Sequence, residues 1–160
     1  MSVAFTREES AETAAEVHLP DRPVSPHPNL VTAPGLKALE EAMAQARATY
    51  DNAQKIEDVN ERRRTAAPAF RDIKYFGERL RSARVVPPPA SNGVAAFGSR
   101  VTFSRDDGRR QVFRIVGEDE ADPQNGSIFY VSPIAREVVG KAAGDVVVVG
   151  GHEIEIVAVV

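Results

Sequence analysis

From Leu36 onward, apolar residues recur at alternating spacings of three and four: Leu36, Leu39, Met43, Ala46, Tyr50 and Ala53. A second seam of the same spacing runs through Ala66, Ala69, Ile73, Phe76, Leu80 and Ala83, with polar residues filling most positions between. This is the a/d pattern of paired helices. Two seams of equal length joined by a short connection predict an antiparallel helical hairpin. Thr32 can cap the first helix, and Pro34 suits its first turn. Pairing Leu36 with Ala83, and Ala53 with Ala66, centres both pairs between Val59 and Asn60. The turn is therefore predicted at Glu57-Asp58-Val59-Asn60-Glu61, with the Asp58 and Glu61 carboxylates at the far end. Pro68 keeps a second placement open: if it starts the second helix, the turn becomes the basic stretch Arg62 to Ala67. The acidic turn is preferred, because Pro68 also fits a first turn capped near Thr65.

Beyond the hairpin the period changes to two. Val101-Thr102-Phe103 and Val112 to Val116 read as strands joined at Asp106-Asp107-Gly108. Ser127 to Val131 reads as a further strand, and Asp145 to Val149 and Glu153 to Val159 as a last pair turned at Gly150-Gly151. In the final strand Ile154, Ile156 and Ala158 alternate with Glu153, Glu155 and Val157, which predicts one buried face. Ser132-Pro133 supplies an N-cap and a first-turn proline. Ile134, Val138 and Val139 form the predicted buried stripe of that short helix, and Gly140 the left-handed residue that ends it. The fold class is α+β: an N-terminal antiparallel helical hairpin (coiled coil) and a C-terminal antiparallel sheet with one short helix. Pro20, Pro23, Pro26 and Pro28 block both helix and central strand, so residues 1–30 are expected to be a disordered or extended tail. The hairpin occupies 31–85. Pro87-Pro88-Pro89 and Ser91-Asn92-Gly93 make 86–96 a linker, and the second domain covers 97–160.

Composition narrows the chemistry. The 160 residues contain no cysteine, which excludes thiol catalysis, disulfides and cysteine-bound zinc. His18, His27 and His152 are scattered, so no histidine metal site is expected. A net charge of −3 does not indicate a generally cationic nucleic-acid-binding surface. No apolar run approaches the ~18 residues of a membrane span, and no signal-peptide core is present, so no membrane partner is expected. Neither a Ser-His-Asp set, a phosphate-binding P-loop nor a dinucleotide fingerprint occurs.

Several spaced motifs carry a family resemblance. Gly117-Glu118-Asp119-Glu120-Ala121-Asp122, Ser132-Pro133-Ile134-Ala135-Arg136, Gly140-Lys141 and Gly144-Asp145 together resemble the C-terminal domain of the bacterial GreA/GreB transcript-cleavage factors. The resemblance runs from about Phe97 to the end. It implies an FKBP-like antiparallel sheet crossed by one helix, which docks on RNA polymerase at the rim of the secondary channel. It also implies that Ser132, Pro133, Ile134, Ala135 and Arg136 are the polymerase-binding segment. The stretch Asp58-Val59-Asn60-Glu61-Arg62 resembles the family's hairpin tip, Asp-x-Ser-Glu-Asn, with Asn60 for the serine and Arg62 for the asparagine.

Three departures stand out. Glu57 replaces the usual glycine, Arg62-Arg63-Arg64 is more basic than the family, and the arms are shorter. From Leu36 to Asp58 a helix spans roughly 33 Å, and losing on the order of ten residues per arm removes about 15 Å of reach. By resemblance, Asp58 and Glu61 are the catalytic pair and the metal ligands. The resemblance implies that they share Mg²⁺ with the polymerase active site and that the chain holds no cofactor of its own stably. It also implies that the polymerase hydrolyses the backtracked RNA, so that the chain is not expected to be an enzyme itself and is expected to reach the nascent RNA 3′ end only indirectly. A cytoplasmic monomer is expected. Two other readings stand beside this: a secondary-channel regulator that stimulates no cleavage, and Asp58 and Glu61 as merely solvated turn residues. A third, a peptidyl-prolyl isomerase, is weaker, since the spacing of Phe97, Phe103, Phe113, Phe129 and Tyr130 shows no aromatic-lined pocket.

Overall fold

A computed structural model describes residues 19–160. The expectation of a disordered tail falls largely on residues 1–18, which lie outside the described residues. From residue 19 the chain is extended, as its prolines require, but it is tied down. Arg22 lies 3.8 Å from the centroid of the Tyr75 ring and bonds Asp72 at 3.1 Å, while Asp21 pairs with Lys74.

Helix α1 spans Ala33–Ala53 and α2 spans Val59–Ser82. Thr32 caps α1: its Oγ1 accepts from the Gly35 N–H at 3.0 Å, and its carbonyl accepts from Leu36 at 2.9 Å. Leu39, Met43, Ala46 and Ala53 of the first seam are buried, as are Ala66 and Ala69 of the second. Helix-to-helix contacts confirm an antiparallel pair centred on Asn60. Met43 Cε lies 3.5 Å from the position a Gly77 Cβ would take, and the Tyr50 and Phe70 ring centroids are 6.1 Å apart.

The turn occupies residues 54–58, slightly before the predicted stretch, and Pro68 lies well inside α2 rather than in its first turn. The helix starts earlier because Asp58, not Thr65, caps it. Pro68 is exposed, so its ring meets solvent, and only the bond to the Arg64 carbonyl is forgone. Tyr75 and Arg79 are buried although neither lies on the predicted seam.

The chain forms two compact units, divided differently from the expected domains. One holds Leu39–Ser82 with the segment through His27; the other holds Pro28–Ala38 with Ala83–Val160. Strands β1 (Leu30–Val31) and β2 (Arg84–Val85) pair in parallel, which joins the residues entering α1 to those leaving α2. Tyr130 Oη donates to the Pro28 carbonyl at 2.7 Å, and Thr32 Oγ1 donates to Glu120 Oε2 at 2.6 Å. These bonds place the start of α1 with the sheet.

The main sheet comprises β3 (Arg100–Arg105), β4 (Arg110–Val116), β5 (Ser127–Phe129), β6 (Val146–Val149) and β7 (His152–Val159), in the order β5-β4-β3-β7-β6. Strand β5 runs parallel to β4 and all other pairings are antiparallel, so the sheet is mixed rather than purely antiparallel. The acidic segment 117–126 explains this. Its two short 3-10 turns carry the chain back so that β5 starts at the same end as the β4 register. A register shift at Thr102/Phe103 bends β3 against β7.

Helix α3 (Pro133–Val138) buries Ala135 and Val138, whereas Ile134 is half-buried and Val139 is exposed. The predicted stripe was thus displaced, because the six-residue helix ends before Val139. Gly140 takes the expected left-handed conformation, φ +84°. The core is Phe103, Ile115, Ile154 and Ile156 with Val101, Ile128, Ala135, Val138 and Val147. Ala95 joins it and is 1% exposed, and the Ala95 N–H donates to the Lys141 carbonyl at 2.8 Å. The last residues of the expected linker are therefore part of the domain.

Candidate functional site

The hairpin end is built by one capping residue. Asp58 Oδ1 accepts from the Glu61 N–H at 2.7 Å, and the Asp58 carbonyl accepts from Arg62 at 2.9 Å. Asp58 is thus the N-cap of α2 and Glu61 sits in its first turn, where the helix dipole favours negative charge. Both side chains are exposed. Local helix chemistry accounts for both: the Asp58 side chain satisfies one orphan N–H of the helix start, and the negative charge of Glu61 suits the first turn. The same arrangement leaves two carboxylates at the tip with only one oxygen bonded to backbone. Arg62 does not point freely from the tip, because its Nη1 donates to the Ile56 carbonyl at 3.2 Å.

Among the described residues no group of three or more His, Cys, Asp or Glu side chains is placed to hold a metal ion. Asp58 and Glu61 can offer part of a coordination shell and no more. A hard divalent cation needs about six oxygen ligands, so these two carboxylates do not complete a coordination shell by themselves.

The five residues 132–136 are held together by α3 but face different ways. Ser132 caps the helix through its carbonyl, which accepts from Arg136 at 3.0 Å; its Oγ is buried without a hydrogen-bond partner. Ala135 is fully buried in the core, Ile134 is half-buried, and Pro133 and Arg136 are exposed. Pro133, Arg136 and parts of Ser132 and Ile134 can meet a partner; Ala135 instead fixes the helix on the sheet.

The acidic loop is also a structural tie. Thr32 Oγ1 donates to Glu120 while it accepts from Gly35, and a Cβ at Gly35 would stand 2.6 Å from Glu120 Oε2. Neither the Pro87–Pro89 cleft nor the one beside Arg105 is lined by an aromatic side chain.

Residues 90–160 match the family model of the transcription elongation factor GreA/GreB C-terminal domain. GreA of Paracoccus denitrificans is 34% identical over 127 residues, covering 76% of this chain and 81% of that protein. The chain belongs to the GreA/GreB family. GreA of Alkalilimnicola ehrlichii is 42% identical over 94 residues, 54% of this chain, and the chain spans 60% of that relative's length. Among solved structures, the GreA factor homolog 1 (Gfh1) of Thermus thermophilus is 23% identical, covering 82% of this chain and 97% of that one, with a TM-score of 0.39. Within the described residues of this GreA/GreB member no helix is long and apolar enough to cross a membrane.

Arg62 and Arg63 line a cleft with Phe70, which was not singled out because it lies off the apolar seam. The signal available was the arginine run itself, together with an exposed phenylalanine two turns on.

Proposed function

We propose that the protein is a transcription elongation factor that binds RNA polymerase through its C-terminal domain and presents Asp58 and Glu61 to the polymerase's catalytic centre. Family membership supports the partner. The observation that carries the reading is the pairing of two exposed carboxylates at the hairpin end, in an arrangement that starts α2 and leaves oxygens for a shared cation. In this reading Asp58 and Glu61 help hold a Mg²⁺ whose other ligands come from the polymerase. A second metal ion stabilises attacking and leaving oxygens in phosphodiester hydrolysis. The chain's own contribution is to position carboxylates on a rigid helix start and to dock; the polymerase performs the cleavage of backtracked RNA.

A second reading is favoured by Asp58 Oδ1. Its bond to the Glu61 N–H commits one oxygen to the helix. If that bond is never released and the short arms fall short of the catalytic centre, the protein occupies the channel without stimulating cleavage. Adding the wild-type protein to stalled elongation complexes separates the two. Transcript shortening supports the first, and bound protein without shortening supports the second. Absence of polymerase binding, measured by co-migration of the purified components, would overturn both.

A further inference from the structure

We propose that β6 is the contact strand of a homodimer, in which two copies of the chain pair β6 with β6 antiparallel about a two-fold axis at Val147. The edges of the main sheet are β5 and β6. Strand β5 is closed by its own chain: Ser127 exchanges backbone bonds with Asp122 at 2.9 and 3.0 Å, and the Phe129 carbonyl accepts from the Ser132 N–H at 2.8 Å. Strand β6 is open. The chain just before it is covered through the Val94–Ala142 bridge, but Gly93, φ +75°, ends that cover. Among the described residues no backbone group outside β7 bonds to Val146–Val149.

The alternation of the strand identifies its free groups. Gly150 and Gly151, φ +58° and +80°, make a two-residue turn whose closing pair, Val149 and His152, is hydrogen-bonded. At the other end the Asp145 carbonyl accepts from the Ile156 N–H at 2.9 Å. Asp145, Val147 and Val149 therefore turn their backbone groups to β7, and Val146 and Val148 turn theirs outward. The side chains follow the same parity. Val147 is 5% exposed and belongs to the core, whereas Val146 and Val148, on the opposite face, are 56% and 58% exposed. Pairing centred on Val147 sets Val146 opposite Val148 of the second copy. It gives the outward N–H and C=O groups of both residues partners, keeps Val147 against its counterpart on the core side, and gathers the exposed valines into one row. A slip of one residue would set outward side chains against core-side ones.

A second copy fits this edge better than a charged segment does. Strand β6 has no lysine, proline or bulge, the devices that keep an edge single, and no charge to select a partner by. The Asp145 carboxylate beside it is occupied by the Ala142 N–H at 2.8 Å. Glu153 and Glu155 flank the valines on β7 and disfavour an acidic strand. Across the dimer, Glu155 and Glu153 of the second copy stand about 14 Å apart, beyond the screening length at physiological salt. Each copy has one open edge, so the pair closes at two. A contact of one short strand lies at the small end of specific interfaces, so half-dimerisation is expected at about 100 µM. A dimer stands against the monomer expected from the sequence, and it is independent of the elongation-factor reading.

The test is sedimentation of the full-length protein across concentrations from about 5 µM to about 1 mM, bracketing that midpoint. The mass should rise from one chain toward two. Val148→Lys, which places a charge on the exposed face of the edge, should weaken dimerisation at least about tenfold and leave the far-UV circular dichroism unchanged. Register is read separately in this cysteine-free chain. Oxidising a mixture of the Val146→Cys and Val148→Cys proteins should yield the mixed disulfide in preference to either symmetric one, because only that pair lies directly opposite. Single-chain mass at every concentration would overturn the proposal and leave the edge to a segment of another protein. Dimerisation of Val148→Lys equal to wild type would place the contact elsewhere, and growth beyond two copies would contradict the closed pair. Symmetric disulfides in excess of the mixed one would refute the axis at Val147.

Discussion

Asp58 Oδ1 accepts a hydrogen bond of 2.7 Å from the Glu61 backbone N–H, so one proposed metal ligand is also the cap that starts the helix bearing the other. The two roles separate by substitution. Asp58→Ala removes cap and charge together and should lower stability by about 1 kcal/mol. Asp58→Asn retains an oxygen for the cap and should lie within a few tenths of a kcal/mol of wild type. Chemical denaturation followed by circular dichroism reads the difference; equal losses in both variants would show that the cap is energetically idle.

Gly117 and Gly35 should respond very differently to alanine. A Cβ at Gly117 would lie 2.1 Å from the Leu30 carbonyl oxygen, a backbone atom fixed by the β1–β2 pairing. Gly117→Ala should cost roughly 3 kcal/mol or more. At Gly35 the obstacle is the end of the Glu120 side chain, which can swing away at the loss of its bond to Thr32. Gly35→Ala should cost about 1 kcal/mol, and Glu120→Ala should then add nothing further. Thermal melts of the two singles and the Gly35→Ala/Glu120→Ala pair decide this; additive losses would contradict the tie.

Gly77 has the opposite sign. It lies inside α2, and a Cβ there meets Met43 Cε at an ordinary 3.5 Å. Gly77→Ala should stabilise the hairpin by about 0.5–1 kcal/mol through helix propensity. A lower denaturation midpoint would mean that Met43 cannot yield.

The hairpin was legible because its signal is periodic. Two seams of equal length locate their own turn, and the Met43–Gly77 and Tyr50–Phe70 contacts fall where that symmetry puts them. Pro68 was misplaced because proline's preference for a first turn is strong, but an exposed helix face tolerates it when Asp58 supplies an earlier cap. Tyr75 was missed for a different reason. A seam predicts which residues meet the partner helix, and Tyr75 is covered instead by Arg22 from the segment preceding α1. Likewise the β strands were readable from alternation and from the glycine turns, whereas the parallel direction of β5 depends on the path of residues 117–126. The tip carboxylates were visible as residues, but their capping role appears only when the helix start is known.

The most direct measurement is RNA cleavage by stalled elongation complexes across a series of Mg²⁺ concentrations, with wild type, Asp58→Asn and Glu61→Gln. Both variants keep the helix start and remove one charged ligand. Wild type should shorten the backtracked transcript. Each variant should lose most of that stimulation, on the order of tenfold or more, with polymerase affinity unchanged and with partial recovery as Mg²⁺ rises. Cleavage by both variants equal to wild type at every Mg²⁺ concentration would contradict the assignment of Asp58 and Glu61 to the catalytic metal.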